Sequence, residues 1–287
     1  NPISFSVENL LMGSKSFGNW SFRLLPSKDS LALLDIQGSY GRWGVAKNKD
    51  NQKSELLITK NSFGWDSRLE TMVFSGSPEK AFKQIGLDLN SSIGVVEFYP
   101  DIKWQGLPWD FKFNRIVGEV GLSIEDITIQ NKDADIETPN NLLRLISIFN
   151  VTDTFEKVTS LDFRKLYRSG FTADKVEGSL FVDPKSVKTI NPLLFKSGSS
   201  EFKWIGAVTK DKNGKFNLLD LEVVMTLPLR EYLPAYALML GGPLTAGVVY
   251  IAGKAFERNL DKLSSGKWTI SGSLENPKTN FEGWFED

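Results

Sequence analysis

Apolar and polar residues alternate with a period of two through much of the first half of the chain. The alternation is clearest over residues 3–7, 20–24, 111–113 and 120–124, and a short apolar run at 72–74 lies between them. A period of two is typical of β-strands with one apolar face. Turn-forming clusters rich in Gly, Ser, Asp and Asn separate these segments, at 13–16, 26–29 and 48–51. Because few helical segments intervene, the pattern predicts an antiparallel meander.

Further strands are predicted in the second half of the chain. They cover residues 175–182, 187–195, 202–209, 216–226, 268–274 and 281–285. A loose phrase recurs in both halves, in which an apolar residue comes shortly before a glycine. It surrounds Gly38, Gly118, Gly178, Gly206 and Gly272. Gly inside a strand often marks a bend or a close approach of another backbone, so the recurrence predicts a sheet that curves progressively.

Three segments outside the main apolar stretch have helical signals. The Ser-Pro-Glu at 77–79 places a capping residue before Pro at the first helical position, which predicts a helix to about Leu89. Residues 140–150 are apolar on nearly every side, so a helix there must be buried or in contact with lipid. Residues 161–169 have a short amphipathic pattern that ends at Gly170. The chain is therefore predicted to be mainly β with a few helices (α+β), the buried and amphipathic ones toward the C-terminal half.

The longest apolar stretch runs over residues 227–262. It has no charged side chain between Glu231 and Lys254. One helix of that length would cross a bilayer core of roughly 30 Å, but Pro234 and the Gly-Gly-Pro at 241–243 disfavour a continuous helix. We predict two short apolar segments, the second of them an amphipathic helix. Two alternatives stay open: the stretch packs on the protein's own sheet, or it faces a membrane or lipid.

The chain contains no Cys and no His. These absences exclude Ser-His-Asp and Cys-His triads, zinc sites built from thiolates or imidazoles, and a His general base. We therefore expect a protein that is not an enzyme and has no cofactor. An acidic segment at 133–137 lacks the Gly and Glu that an EF-hand calcium loop requires, so no metal site is predicted. The net charge of −1 gives no sign of a nucleic-acid partner.

Aromatic residues make up 12% of the chain and include 8 Trp. Such residues suit the half-buried surface of a sheet, where they line a core or a groove. Tryptophans on a β-rich protein are also compatible with a carbohydrate-binding module, which stays open as an alternative.

The second half of the chain contains phrases that resemble a known family. They are NLLRLISIFNV from Asn140, SLDFRKLYRSGFTADKVEGSLFVD from Ser160, and a tail with GGP at 241–243, DKLS at 261–264 and WTISGS at 268–273. This half resembles the C-terminal part of the AsmA-like proteins of Gram-negative bacteria, and most of all their YhdP branch. The first half agrees less sharply, at residues 4–24 and 98–106.

The resemblance implies a fold, a location and a function. Members of the family look like long periplasmic bridges that an N-terminal helix anchors in the inner membrane. Their repeated strands form a curved antiparallel sheet with an open apolar groove, and they are implicated in moving phospholipid toward the outer membrane. The chain starts with Asn-Pro and not with Met, so we expect one C-terminal fragment that forms the distal end of such a bridge. A subdivision into 1–135 and 136–287 is expected at the polar run 131–139.

Two sets of residues are predicted to contact lipid. Those lining the groove, with phospholipid as the partner, are Phe5, Val7, Trp20, Phe22, Leu142, Leu145, Ile146, Phe149, Leu221, Val223 and Met225. Those touching the inner leaflet of the outer membrane through 232–253 are Tyr232, Tyr236, Met239, Leu240, Leu244, Val248 and Ile251. The alternative is a periplasmic scaffold that docks this stretch on an outer-membrane partner protein.

Overall fold

The computed structural model describes residues 2–12, 14–47, 53–86, 91–129, 171–197, 200–226, 265–274 and 276–285. These residues form antiparallel strands almost throughout, with one α-helix and one 3-10 turn among them. The mainly β class predicted from the alternation is confirmed. The predicted helices at 140–150, 161–169 and 227–262, and the predicted boundary at 131–139, lie outside the described residues.

The described elements have the following bounds. The strands before residue 130 are β1 (Ile3–Val7), β2 (Leu11–Met12), β3 (Lys15–Ser16), β4 (Trp20–Pro26), β5 (Ser30–Tyr40), β6 (Trp43–Ala46), β7 (Glu55–Asn61), β8 (Gly64–Glu70), β9 (Met72–Ser75), β10 (Ser91–Ser92), β11 (Val95–Gln105) and β12 (Val117–Ile129). Those after residue 170 are β13 (Phe171–Val182), β14 (Ser186–Ser197), β15 (Ser200–Lys210), β16 (Phe216–Thr226), β17 (Ser265–Ser273) and β18 (Asn276–Phe285). The helix α1 spans Pro78–Gln84, and the 3-10 turn spans Pro108–Asp110.

The chain divides into two compact units. The first unit contains Asn1–Leu89, Ile93–Glu125 and Glu177–Asn191. The second unit contains Asn90–Ser92, Asp126–Val176 and Pro192–Asp287.

The sheet of the first unit is built around a block of four strands between β5 and β11. β5 pairs with β7 over 30–34 and with β6 over 38–40. β11 pairs with β8 over 101–105 and with β9 over 96–98. Because β7 also pairs with β8 and β6 with β9, two strand pairs meet end to end inside one sheet. β1 and β4 extend this sheet beyond β5, and β12 extends it beyond β11.

Two buried hydroxyl groups close the junction where the strand pairs meet. The Ser54 hydroxyl donates to the Ile36 carbonyl at 2.6 Å and shares a hydrogen bond of 2.8 Å with the Thr71 hydroxyl. The Thr71 amide donates to the carbonyl of Pro100 at 3.2 Å. Pro100 therefore lies on β11 beside the gap between β8 and β9. Because no continuous strand runs past it on that side, the missing amide proton of Pro100 costs the sheet no hydrogen bond.

Replacing Ser54 by Ala is expected to destabilise the first unit by about 1–3 kcal/mol, because the Ile36 carbonyl and the Thr71 hydroxyl each lose a buried partner. Urea unfolding measures the change. Ser4→Ala, on an exposed position of β1, is the control and should change stability by less than about 0.5 kcal/mol. Equal midpoints for the two variants would contradict the role of the junction.

The second unit contains four successive antiparallel strands, β15 to β18. Every second residue of β16 from Leu219 to Met225 is buried on the same side of the sheet. These residues are Leu219, Leu221, Val223 and Met225. Val223 is paired with Trp204 on β15 and with Trp268 on β17, both of them also buried. The core of the described part of this unit therefore lies on one face of its sheet.

Two predicted elements differ from the structure. The helix predicted from Pro78 to about Leu89 ends at Gln84, because Gly86 adopts a φ of 83° and its amide donates to the Lys83 carbonyl. The strand predicted at 111–113 is absent from that segment. Those residues follow the 3-10 turn and lead into a further turn, in which the Arg115 amide donates to the Lys112 carbonyl at 2.9 Å.

Candidate functional site

A continuous row of apolar side chains crosses six strands of the first unit. Residues that pair directly in antiparallel strands point to the same face of the sheet. The registers connect, one strand to the next, Ile3, Leu24, Leu33, Leu56, Leu69 and Ile102. This set is called the Leu33 row. With strands about 4.8 Å apart, the row is about 24 Å long.

A second row lies on the same face and passes through the other strand pair of the block. Its members are Val7, Trp20, Gly38, Val45, Val73, Phe98 and Leu122. This set is called the Trp20 row. Gly38 is required here because the Trp20 ring lies over it: a Cβ at Gly38 would be 2.4 Å from a ring carbon of Trp20. Between the two rows, Phe5 and Phe22 pair directly and stack with ring centroids 5.3 Å apart.

Two elements cover this face over β11. Phe82 of α1 contacts Trp43 and Phe98, with ring centroids 5.2 and 6.5 Å away. The Trp43 indole N–H donates to the Ala81 carbonyl at 2.9 Å and holds the helix in place. At the other end of β11, Phe111 packs edge-on against Trp104 at 5.3 Å. The face is therefore buried under these elements.

The same face is open over β1 and β4. Ile3 is 52% exposed and Phe5 39% exposed, whereas Ile102 at the other end of the Leu33 row is buried. The members of the row between them are half-buried. An apolar strip thus runs from a solvent-exposed edge toward a closed core.

The opposite face of these strands is charged over β8 and β11. Arg68 makes a bidentate pair with Asp101, with Nε–Oδ1 and Nη2–Oδ2 distances of 2.7 Å. Hydrogen bonding to Arg68 is the main reason that the pKa of Asp101 lies below its ordinary value. The Arg68 pKa is raised in turn, chiefly by the same bonds. Both groups stay ionised at neutral pH, which keeps this side of the sheet solvated and unsuited to acyl chains.

A second ion cluster marks an irregularity in β5. Asp35 adopts a φ of 56° and bonds both Arg23 and Lys47. The hydrogen bond from Lys47 is the main reason that the pKa of Asp35 is lowered; burial opposes this, and the hydrogen bond from Arg23 lowers the pKa further. The register of β4 and β5 shifts between Ser21 and Arg23, so the extra residue lets both halves of β5 keep their apolar side chains on one face.

The structure brings together four of the residues predicted to contact lipid. Phe5 pairs with Phe22 and Val7 pairs with Trp20, so all four lie side by side on the open face. The apolar side chains that were not among the predicted lipid contacts are Ile3, Leu24, Leu33, Leu56, Leu69 and Ile102 of the Leu33 row, and Val45, Val73, Phe98 and Leu122 of the Trp20 row. Among β7, β9 and β11, alternation was an available signal only in β11, where Val96, Phe98, Ile102 and Trp104 are two or four residues apart. In β7 and β9 the row members stand in runs of three consecutive apolar residues, which do not show which face each one takes.

The remaining predicted residues are in other parts of the chain. Leu221, Val223 and Met225 share one face of β16 in the second unit, where all three are buried. The predicted contacts at Leu142, Leu145, Ile146 and Phe149 lie outside the described residues. The same is true of the predicted membrane contacts at Tyr232, Tyr236, Met239, Leu240, Leu244, Val248 and Ile251.

Within the described ranges, no group of three or more acidic side chains is arranged to hold a metal ion. None of the helices in that part of the chain has the length and apolar character needed to cross a membrane.

The family model described as YhdP protein matches residues 2–279. The chain belongs to the YhdP family. A comparison with curated proteins gave no match, and neither did a comparison with solved structures. Membership of the YhdP family is consistent with phospholipid transport and with a place in the bacterial envelope, and it confirms the resemblance drawn from the sequence phrases.

Proposed function

We propose that this chain is a section of a periplasmic lipid carrier. In this proposal, the open face of the first unit shields phospholipid acyl chains while the lipid moves between the inner and outer membranes. The observation that carries the proposal is the Leu33 row, an apolar strip that is exposed or half-buried from Ile3 to Leu69 in a protein of the YhdP family. The polar headgroup remains in water at the edge of the sheet.

The dimensions of the strip fit an acyl chain. One leaflet of a bilayer has a hydrocarbon depth of about 15 Å, half of a core of roughly 30 Å. From Ile3 to Leu69, before the closed core at Ile102, the Leu33 row is about 19 Å long, which is longer than that depth. An acyl chain can therefore lie along the row with all of its methylenes against side chains.

The energetics favour such a face for transfer through water. Exposing about 30 acyl methylenes to water costs on the order of 24 kcal/mol, at about 0.8 kcal/mol for each. Contact with an apolar strip removes part of this cost, and a strip of similar side chains lets the lipid shift without crossing a large barrier. Transfer of this kind forms and breaks no covalent bond, so it requires no catalytic residue.

The proposal extends to the whole protein. The full-length carrier would be anchored in the inner membrane, with this section near the outer membrane. The uncharged run at 232–253 would touch the inner leaflet of the outer membrane, because an apolar segment flanked by charges suits the boundary between lipid and water.

Photo-crosslinking tests the open face directly. Leu56 and Leu57 are neighbours on β7 and point to opposite faces. With a benzophenone amino acid in place of Leu56, irradiation in a bacterial host is expected to give a phospholipid adduct, detected by mass spectrometry. The same amino acid at Leu57 is the matched control and should give little or no adduct.

Two results would overturn the proposal. One is an adduct of equal yield at both positions, which would indicate non-specific contact. The other is the absence of phospholipid adducts at Leu56 together with an intact chain that purifies free of lipid, as native mass spectrometry would show.

A further inference from the structure

Three aromatic side chains project into solvent at one end of the first unit's sheet. Phe63 is 87% exposed, Trp109 is 76% exposed and Phe113 is 77% exposed. Phe63 lies in the turn between β7 and β8, and the other two lie in the segment that follows β11. Because the start of β8 pairs with the end of β11, with Asp66 opposite Gln105, all three belong to the same end of the sheet. This set is called the aromatic rim.

Hydrogen bonds and ring contacts fix the backbone that presents the rim. The Gly106 amide donates to the Trp65 carbonyl at 2.6 Å, which joins the end of β11 to the start of β8. The Leu107 amide donates to the Asp110 carboxylate at 2.9 Å. The Phe113 ring packs edge-on against Phe111 with centroids 5.1 Å apart. These contacts order the backbone of the loop after β11, so the exposed position of its rings is a property of a well-defined loop.

The charges beside the rim are three cations and two carboxylates. Lys60 is exposed near the end of β7, and Lys112 and Arg115 are exposed in the loop that carries Phe113. Two carboxylates lie among them, and each accepts a local hydrogen bond: Asp66 from the Asn61 side chain and Asp110 from the Leu107 amide. Because both donors are neutral, the carboxylates keep their charge, and three cations against two carboxylates leave a net charge of +1 beside the rim.

Large exposed aromatic side chains cost free energy in water, so a partner surface is expected to cover them. Tryptophan favours the boundary between lipid and water, and nearby Lys and Arg attract anionic headgroups. Phe63 and Phe113 have no polar group that could bond a sugar hydroxyl, which disfavours a carbohydrate platform.

We propose that the aromatic rim docks on the surface of a bilayer that contains anionic phospholipid. The contact is separate from the Leu33 row and from the run at 232–253. It does not depend on acyl-chain shielding by the open face, since a membrane-docking rim and a lipid-carrying strip use different side chains.

The chain has no cysteine, so a single introduced cysteine can carry an environment-sensitive NBD fluorophore. We would label Phe63→Cys and Phe113→Cys in the full chain. Vesicles of phosphatidylethanolamine and phosphatidylglycerol at a ratio of 3:1 are expected to shift the NBD emission to the blue and raise its intensity. Leu11→Cys and Ile85→Cys are matched controls: they are 58% and 48% exposed and lie at the opposite end of the sheet. Neither should respond.

A second experiment measures the contribution of the rim to binding. The Phe63→Ser/Trp109→Ser/Phe113→Ser variant keeps all of its changes at exposed positions, so it is expected to fold. Its vesicle partition coefficient, measured by flotation, should fall by about tenfold or more, because burying even one Phe is worth at least a decade in an equilibrium constant. Leu11→Ser/Ile85→Ser should bind as the unchanged chain does.

Three outcomes would overturn this inference: an NBD signal at Phe63 and Phe113 that vesicles leave unchanged, a triple variant that partitions as well as the unchanged chain, or a rim whose Trp109 fluorescence responds to glycans and not to vesicles. The crosslinking at Leu56 tests the proposed function independently. Phospholipid adducts at Leu56 without an NBD response at the rim would reject only the docking surface. An NBD response at the rim without adducts at Leu56 would reject only the acyl-chain strip.

Discussion

Placing carboxylates at Leu24 and Leu33 is expected to strip bound phospholipid from the protein. These residues pair directly on β4 and β5, in the open part of the Leu33 row. An acyl chain lying on the row would either lose contact with the row at the new carboxylates or remove water from them. The free-energy cost of removing water from an unpaired carboxylate is prohibitive. Loss of contact with about four methylenes, at about 0.8 kcal/mol each, lowers the affinity by on the order of a hundredfold. Lipid extraction and native mass spectrometry of Leu24→Asp/Leu33→Asp measure the loss.

The neighbouring pair on the same strands provides a matched control. Leu25 and Ala32 also pair directly, on the opposite face. Leu25→Asp/Ala32→Asp introduces the same two charges, with the same repulsion across the strands, while leaving the open face unchanged. Retention of lipid by this variant and loss by the first would assign binding to one face. Equal loss by both variants, at equal melting temperature, would contradict the proposal.

The local patterns of strands could be predicted from the sequence, because alternation depends only on neighbours along the chain. β1 and β16 have the predicted bounds, at Ile3–Val7 and Phe216–Thr226. β5 and β11 were missed for physical reasons. The extra residue at Asp35 breaks the period of two in β5, and Pro100 marks β11 as an improbable strand until the junction beside it is known.

The candidate site was predictable only in part. Alternation placed Phe5, Val7, Trp20 and Phe22 on the apolar faces of β1 and β4, and the structure joins them on one face. The rest of the Leu33 row depends on which strands pair and in which register, and the end-to-end arrangement of the block between β5 and β11 has no local signature. A shift of one residue in any of these registers would send a row member to the charged face.

Several glycines inside the strands have backbone conformations that other residues rarely adopt. Gly118, Gly178, Gly206 and Gly272 all adopt a positive φ. Gly118 and Gly206 show the same local geometry, one in each unit. A Cβ at Gly118 would lie 2.1 Å from the Asp101 carbonyl oxygen, and a Cβ at Gly206 would lie 2.2 Å from that of Asp220. In both cases the obstacle is the backbone of the paired strand, which cannot move without breaking the ladder.

Replacing Gly206 by Ala is therefore expected to destabilise the second unit strongly. The φ of 143° strains an L-residue by about 1–3 kcal/mol, and the overlap with the partner backbone adds about 1–3 kcal/mol more. Gly283 separates the two effects: its φ is 146°, but a Cβ there would meet nothing within 4 Å. Gly283→Ala should therefore show the strain alone, and thermal unfolding of the two variants measures the difference. If both variants melted at the same temperature, close approach of the strands would not be the reason that glycine occupies position 206.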